Sequence, residues 1–229
     1  MPDVIEPTNI GEFIAQQRFS EEEKAEHARI IQDFSHLYYE MKVQTWCNTK
    51  WRRVPIAKAP TDLWVYQELI EEIRPDLIIE TGSLFGGSAL YFRDILNTIF
   101  PGGHVISIDI THEHLFGKVK EIPGIEFILG SSIDPMIVAQ VTSYIARAFA
   151  QRVMVVLDSN HEKEHVLQEL AMYAPLVTKG SALIVEDTNT AGPKEAVEEW
   201  EPLHPEFKMS VMCEKLMLTF NRGGYFERV

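Results

Sequence analysis

Positive charge is scarce in this chain. Its 229 residues hold 21 Lys and Arg against 34 Asp and Glu, a formal net charge of −13. A surface of that sign repels phosphate backbones, so nucleic acid is not an expected partner, and nothing in it favours an anionic membrane. Cysteine is almost missing: Cys47 and Cys213 lie far apart, form no metal-type spacing and read as two ordinary thiols in a reducing compartment. No apolar run is long enough to cross a bilayer. The first residues lack the basic start and apolar stretch of a signal peptide. A cytoplasmic protein is therefore expected. Internal repeats and low-complexity segments are absent as well. The hydrophobic share of 45% is that of an ordinary globular protein, which allows one large domain or one domain with an accessory arm.

Two regions differ in pattern. Residues 1–60 are expected to form a helical arm and its connection. Residues 1–19 read as irregular. Ser20 with Glu23 makes a capping box, opening a helix over 21–43 with Ile30, Ile31, Phe34, Leu37, Tyr38 and Met41 on an apolar stripe. Residues 45–60, with Trp46, Trp51, Pro55 and Pro60, read as a packed, irregular connection. That apolar stripe needs a surface to cover, either the chain's own core or a second subunit. Residues 61–229 alternate strand and helix. Apolar β-branched runs at 77–80, 104–110, 125–129, 153–158 and 182–186 are separated by helical patterns at 88–99, 135–150 and 164–173. The spacing predicts an α/β fold, Rossmann-like, with a mostly parallel sheet. Two further strands, 207–211 and 216–221, are expected to end it as an antiparallel pair.

Ligands of an open α/β sheet bind outside the carboxyl ends of the strands. The residues there are Glu80, Asp109, Gly130, Asp158, Glu186 and Asp187, five of them carboxylates. The first loop, Glu80-Thr81-Gly82-Ser83-Leu84-Phe85-Gly86-Gly87-Ser88, has glycines that allow a sharp turn close to a ligand. It departs from the G-x-G-x-x-G dinucleotide fingerprint. It is either a ligand-binding loop, using Glu80, Gly82, Ser83, Gly86 and Ser88, or a plain turn. Asp109 is placed to accept the ribose hydroxyls of a nucleoside cofactor. Ser131 and Ser132, after the third strand, suit an adenine edge, and Ser132 can equally cap the next helix.

Asp158, Glu186 and Asp187, from two neighbouring strand ends, form a set of hard oxygen ligands. Such a set favours Mg²⁺, Mn²⁺ or Ca²⁺ over Zn²⁺, and without a cation the three acids would repel one another. A competing motif overlaps it. His161-Glu162-Lys163-Glu164-His165 fits H-E-x-x-H, the zinc protease signature. It follows a buried strand directly and would leave the glycine loop and Asp109 without a role. His165 is expected to pack beside the site.

These residues resemble a known family, the cephalosporin hydroxylase and rhamnosyl O-methyltransferase family, related to the macrocin-type sugar O-methyltransferases. The matching strings are Pro60-Thr61-Asp62-Leu63-Trp64-Val65-Tyr66-Gln67, Ile79-Glu80-Thr81-Gly82-Ser83, Gly86-Gly87-Ser88-Ala89, Ser107-Ile108-Asp109, Leu157-Asp158-Ser159-Asn160-His161 and Val185-Glu186-Asp187-Thr188. The resemblance spans about residues 46–224. It implies a fold binding S-adenosylmethionine (SAM), an Mg²⁺ site at Asp158, Glu186 and Asp187, and a homo-oligomer, dimer or higher, joined partly through N-terminal elements. More distantly the site is similar to catechol O-methyltransferase. That family has a basic residue three positions after the fourth-strand acid and a consecutive ligand pair on the fifth strand. Here the basic residue is His161 instead of lysine, and the pair is Glu-Asp instead of Asp-Asn.

The expected activity is an O-methyltransferase that uses SAM and Mg²⁺ (or Mn²⁺) on a small-molecule acceptor with adjacent oxygens, such as a vicinal diol on a sugar or natural product. In this reading SAM contacts the glycine loop, Asp109, Ser131, Ser132 and Asp158, with its sulfonium near Glu80, and His161 is the catalytic base. The rivals are a protein that binds SAM without turnover, a nicotinamide-dependent oxidoreductase, an iron hydroxylase and an H-E-x-x-H zinc hydrolase. The oxidoreductase should carry a tighter glycine fingerprint. The hydroxylase needs two His and one carboxylate, yet the H-x-E at 204–206 has no His after it.

Overall fold

The computed structural model describes residues 20–40 and 45–229. The expectations for residues 1–19, and the part of the first helix that falls on 41–43, lie outside them. Helix α1 (Glu21–Ser35) opens on the capping box: Ser20 Oγ accepts from the Glu23 amide at 3.2 Å, and Glu23 Oε2 accepts from the Ser20 amide at 2.7 Å. At His36–Glu40 the helix widens into a π turn. It buries none of its residues, and Ile30 and Leu37 are 51% and 55% exposed. Among the described residues, no helix is long and apolar enough to cross a membrane.

Residues 45–59 are not a loose linker. A two-residue hairpin, β1 (Lys50–Trp51) and β2 (Val54–Pro55), leads into a stretch whose Val54 and Ile56 are buried in the core. It lies so close to the glycine loop that a Cβ on Gly87 would sit 2.1 Å from the Pro55 carbonyl oxygen. Helix α2 (Pro60–Ile73) then begins with Pro60, whose missing N–H costs nothing in the first turn.

The main sheet has seven strands in the order β5-β4-β3-β6-β7-β9-β8. β3 (Leu77–Thr81), β4 (His104–Asp109), β5 (Ile125–Leu129), β6 (Val153–Leu157) and β7 (Ala182–Val185) are parallel; β8 (Phe207–Met209) and β9 (Tyr225–Arg228) run antiparallel. The connecting helices are α3 (Gly87–Ile99), α4 (Pro135–Ala148), α5 (Lys163–Tyr173) and α6 (Ala191–Trp200). Strand alternation splits the core in two. Leu77, Ile79, Val155, Leu157, Leu183 and Val185 face one layer, with α4, α5 and α6 packed over it. Ile78, Met154, Val156 and Ile184 face the other, under α2 and α3.

One expected strand is displaced. The antiparallel pair exists, but its second member is Tyr225–Arg228, and the expected strand at 216–221 is absent. The backbone of that run is committed elsewhere. The Phe220 amide donates to Asp62 Oδ2 at 3.0 Å, and the Phe220 carbonyl accepts from the Asn189 amide at 3.0 Å. Phe220 thereby links α2 to the loop after β7 through its backbone.

Candidate active site

Strand register builds the site. Glu80 pairs with Val156, and Val156 pairs with Ile184, so the three share one sheet face. Two residues further on, Asp158 and Glu186 continue that face beyond the strand ends. Asp187 follows with φ +54°, a left-handed conformation that Asp tolerates better than most residues. This turn brings its carboxylate, like that of Asp158, to the cavity wall. The Asp187 amide is fixed by Asn221 Oδ1 at 2.9 Å.

The glycine loop closes on β6. Gly82 has φ +88°, and a Cβ there would meet the Asp158 carbonyl oxygen at 1.8 Å, so no side chain fits. Gly86, also left-handed, is the N-cap of α3. Asp109, expected to face a ribose, is bonded to backbone amides. Its Oδ2 accepts from the amides of Ser83 and Leu84, both at 2.9 Å, and so ties the loop to the end of β4. Its Oδ1 accepts a longer bond, 3.2 Å, from the Thr111 amide.

Across the cavity, Ser132 Oγ lies 3.1 Å from His165 Nε2. The same nitrogen is 3.3 Å from Ser159 Oγ, which donates to the buried Glu169 carboxylate at 2.7 Å. These links answer the H-E-x-x-H question. Helix α5 starts at Lys163, after His161, so the two histidines do not share a helix, and their ring nitrogens face different partners.

Behind the carboxylates stands a residue that sequence reasoning missed. Lys58 is 2% exposed, and its Nζ lies 2.7 Å from Asp158 Oδ2 and 2.5 Å from Glu186 Oε1. The Tyr66 hydroxyl, on α2, donates to the same Glu186 oxygen at 2.5 Å. The only signal in the sequence is that Lys58 is the one ionisable residue between Val54 and Pro60. Burial alone would pull its pKa down, but Asp158, Glu186 and Glu80 together hold it above the ordinary lysine value. Burial pushes Glu186 up to about 7, with repulsion from Asp158 adding and Lys58 opposing. Burial likewise lifts Asp158 to about 6 against Lys58, and Glu80 to about 7 against Lys58 and the hydroxyls of Ser107 and Ser88.

A cavity of about 410 Å³ joins these parts. Gly82, Ser83, Ser88, Asp109, Ser132, Asp158, His161 and Asp187 line it. Glu80, Gly86, Ser131 and Glu186 do not: Glu80 is wholly buried with Ser107 Oγ donating to it at 2.6 Å, and Glu186 is turned toward Lys58 and Tyr66. At the acidic end one donor atom each from Asp158, His161 and Asp187 lies within 4.8 Å of the other two. Two carboxylates and an imidazole, gathered so closely, fit a small divalent cation. His161 Nε2 is 3.1 Å from Asp187 Oδ2, and this hydrogen bond, opposed by burial, raises the His161 pKa.

A parallel sheet with an antiparallel β9-β8 edge, a glycine-turned first loop and acids at the strand ends defines a Rossmann-like methyltransferase. Sequence comparison narrows this. The family model of rhamnosyl O-methyltransferase/CmcI matches residues 43–229, and the chain belongs to that family. It is an enzyme of the methyltransferase class. It is 35% identical over 211 residues to the rhamnosyl O-methyltransferase of Mycobacterium leprae (strain TN), covering 87% of this chain and 90% of that protein. The rhamnosyl O-methyltransferase of Mycobacterium bovis (strain BCG / Pasteur 1173P2) is 32% identical over 186 residues, 77% of this chain and 75% of its own. Among solved structures, CmcI with Mg and SAM shares the fold at a TM-score of 0.63, with 20% identity over 80% of this chain and 77% of that one.

Proposed function

We propose that this protein methylates a hydroxyl of a sugar or natural product that offers two adjacent oxygens, taking the methyl group from SAM with the help of Mg²⁺ or Mn²⁺. One observation carries the reading: a single cavity has the glycine loop and Asp109 on its wall and the Asp158–His161–Asp187 cluster at its acidic end. The first part suits an adenosyl cofactor, with Asp109 Oδ1 toward a ribose hydroxyl and Ser132 toward an adenine edge. The curated relatives are rhamnosyl O-methyltransferases, which supports a sugar acceptor.

Asp158 and Asp187 would hold the cation, with Glu186 behind them. A bound divalent ion would lower the pKa of the acceptor hydroxyl and orient it. His161 borders the same cluster and is the group set to accept the acceptor's proton on its imidazole. Asp187 stabilises the ring once it is charged, which is the sense of the raised pKa. Gly82 and Asp109 keep the donor side rigid, so that the methyl carbon and the acceptor oxygen meet in line.

The test is methyl transfer from labelled SAM to rhamnosides and other vicinal diols, with and without a chelator. Turnover should stop with chelator and return with Mg²⁺ or Mn²⁺. Turnover indifferent to chelation would remove the metal, and no binding of SAM by calorimetry would remove the reaction.

A further inference from the structure

Asp187 owes its place in the site to its backbone. Its φ of +54° breaks the alternation of β7, and a left-handed residue other than glycine persists only where its surroundings hold it. In an extended conformation Asp187 would point to the opposite sheet face from Glu186. In the left-handed one its carboxylate reaches the cavity, with Oδ2 3.1 Å from His161 Nε2. Resting on the metal reading above, we propose that Asn221 is a positioning residue for the cation site, which fixes Asp187 in this conformation through its main-chain amide.

The Asp187 peptide groups are held on both sides. Its carbonyl accepts from the Thr190 amide at 2.8 Å and from the Thr190 hydroxyl at 2.7 Å, bonds local to the turn into α6. Its amide donates to Asn221 Oδ1 at 2.9 Å, from 34 residues away. Asn221 is wholly buried, and its own main chain is pinned: its amide donates to Thr219 Oγ1 at 2.9 Å, and its carbonyl accepts from the Gly224 amide at 2.9 Å. Gly224 in turn is pressed onto β7. It accepts the Val185 amide at 2.8 Å, and a Cβ on it would lie 2.2 Å from the Val185 carbonyl oxygen. One residue before Asn221, the Phe220 amide is tied to Asp62 Oδ2 of α2 at 3.0 Å. Asn221 Oδ1 therefore has a fixed place relative to the end of β7, and the Asp187 amide turns to meet it. A side-chain amide does this without setting another carboxylate beside Asp158, Glu186 and Asp187. Without that acceptor the turn can relax toward the extended form, which takes the Asp187 carboxylate out of the cavity.

The experiment is calorimetry of the full chain, with Mn²⁺ and SAM titrated separately, for wild type, Asn221→Ala, Asn221→Ser and Thr188→Ala. Asn221→Ala should weaken Mn²⁺ binding by roughly 10–100-fold, the usual scale when a hydrogen-bond partner behind a metal ligand is lost. Its SAM affinity, and the number of sites for each ligand, should stay near wild type. Asn221→Ser, whose hydroxyl stops one bond short of the Oδ1 position, should act in the same way and takes over the test if the alanine variant does not fold. Thr188→Ala removes a hydroxyl that donates to the Arg222 carbonyl at 2.8 Å, a link between the same two segments that does not touch the Asp187 amide. It should lower the Tm and keep the Mn²⁺ affinity. A merely structural role for Asn221 would reduce the number of sites for both ligands and leave the Kd for Mn²⁺ unchanged. Wild-type Mn²⁺ affinity in a folded Asn221 variant, or an equal loss of affinity in Thr188→Ala, would overturn the proposal while leaving the metal reading intact. If wild type binds no Mn²⁺, the metal reading itself fails, and this proposal with it.

Discussion

At Asp187 one backbone dihedral decides what the side chain can reach. With φ +54° the residue leaves the strand's alternation, so adjacent acids serve different surroundings: Glu186 faces the buried Lys58, and Asp187 faces the cavity and His161. Substitutions should separate the roles of this cluster. His161→Ala should cut methyl transfer by roughly 10²–10⁴-fold, the usual scale for loss of a general base, and leave Mn²⁺ affinity changed by much less. Asp158→Asn should instead weaken Mn²⁺ binding, and part of its defect should be recovered at high Mg²⁺. Single-turnover rates with calorimetry check both. A near-normal rate in His161→Ala would mean that His161 only packs beside the site.

At the scale of elements, short apolar β-branched runs and the helical patterns between them marked the parallel strands and most of the connecting helices to within a few residues, because β3, β6 and β7 are buried throughout and β4 along its middle. The acids at the strand ends were legible for the same reason: a buried run that stops at Asp or Glu shows where the sheet meets the cleft. What could not be read was what each acid faces. Glu80 looked like a cofactor contact; in the structure it is wholly buried, accepts from its cross-strand neighbour Ser107, and does not line the cavity. Lys58 was hidden because a residue between two prolines in an irregular stretch has no period, and its partners lie 100 and 128 positions away. The run at 216–221 failed differently. It has the composition of a strand, but tertiary hydrogen bonds to Asp62 and the β7 loop took its backbone.

Helix α1 and the π turn after it leave Ile30, Phe34 and Leu37 in solvent, while Tyr38 of the turn packs against the Phe220 ring at 5.9 Å between centroids. We infer that this stripe forms a contact between subunits. Deleting residues 1–44 should lower the mass measured by light scattering by more than the deleted residues account for. A full-length protein that is already monomeric would end the idea.

For the whole molecule, the proposed metal reading makes cation binding depend on pH. In the metal-free protein, burial raises Asp158 to about 6 and Glu186 to about 7. A carboxyl whose folded pKa lies above its unfolded value favours the fold at low pH, and that contribution is lost as pH rises through the folded value. A cation opposes this loss, because it binds the deprotonated acids and displaces protons. The raised His161 pKa acts in the same direction, since an imidazolium repels the ion. The Tm gain from Mg²⁺ should therefore be larger at about pH 8 than at about pH 5.5. An equal gain at both would show that the ion does not sit among these groups.

The position of β9 also bears on how the chain is made. This strand lies inside the sheet, between β7 and β8, and its neighbour Gly224 receives the Val185 amide at 2.8 Å, directly beside Glu186 and Asp187. During synthesis, the glycine loop and β3–β6 can assemble early, while the fifth parallel strand still has an open edge. The strand that leads into Glu186 and Asp187 is therefore paired on both sides only once residues 225–228 have been made.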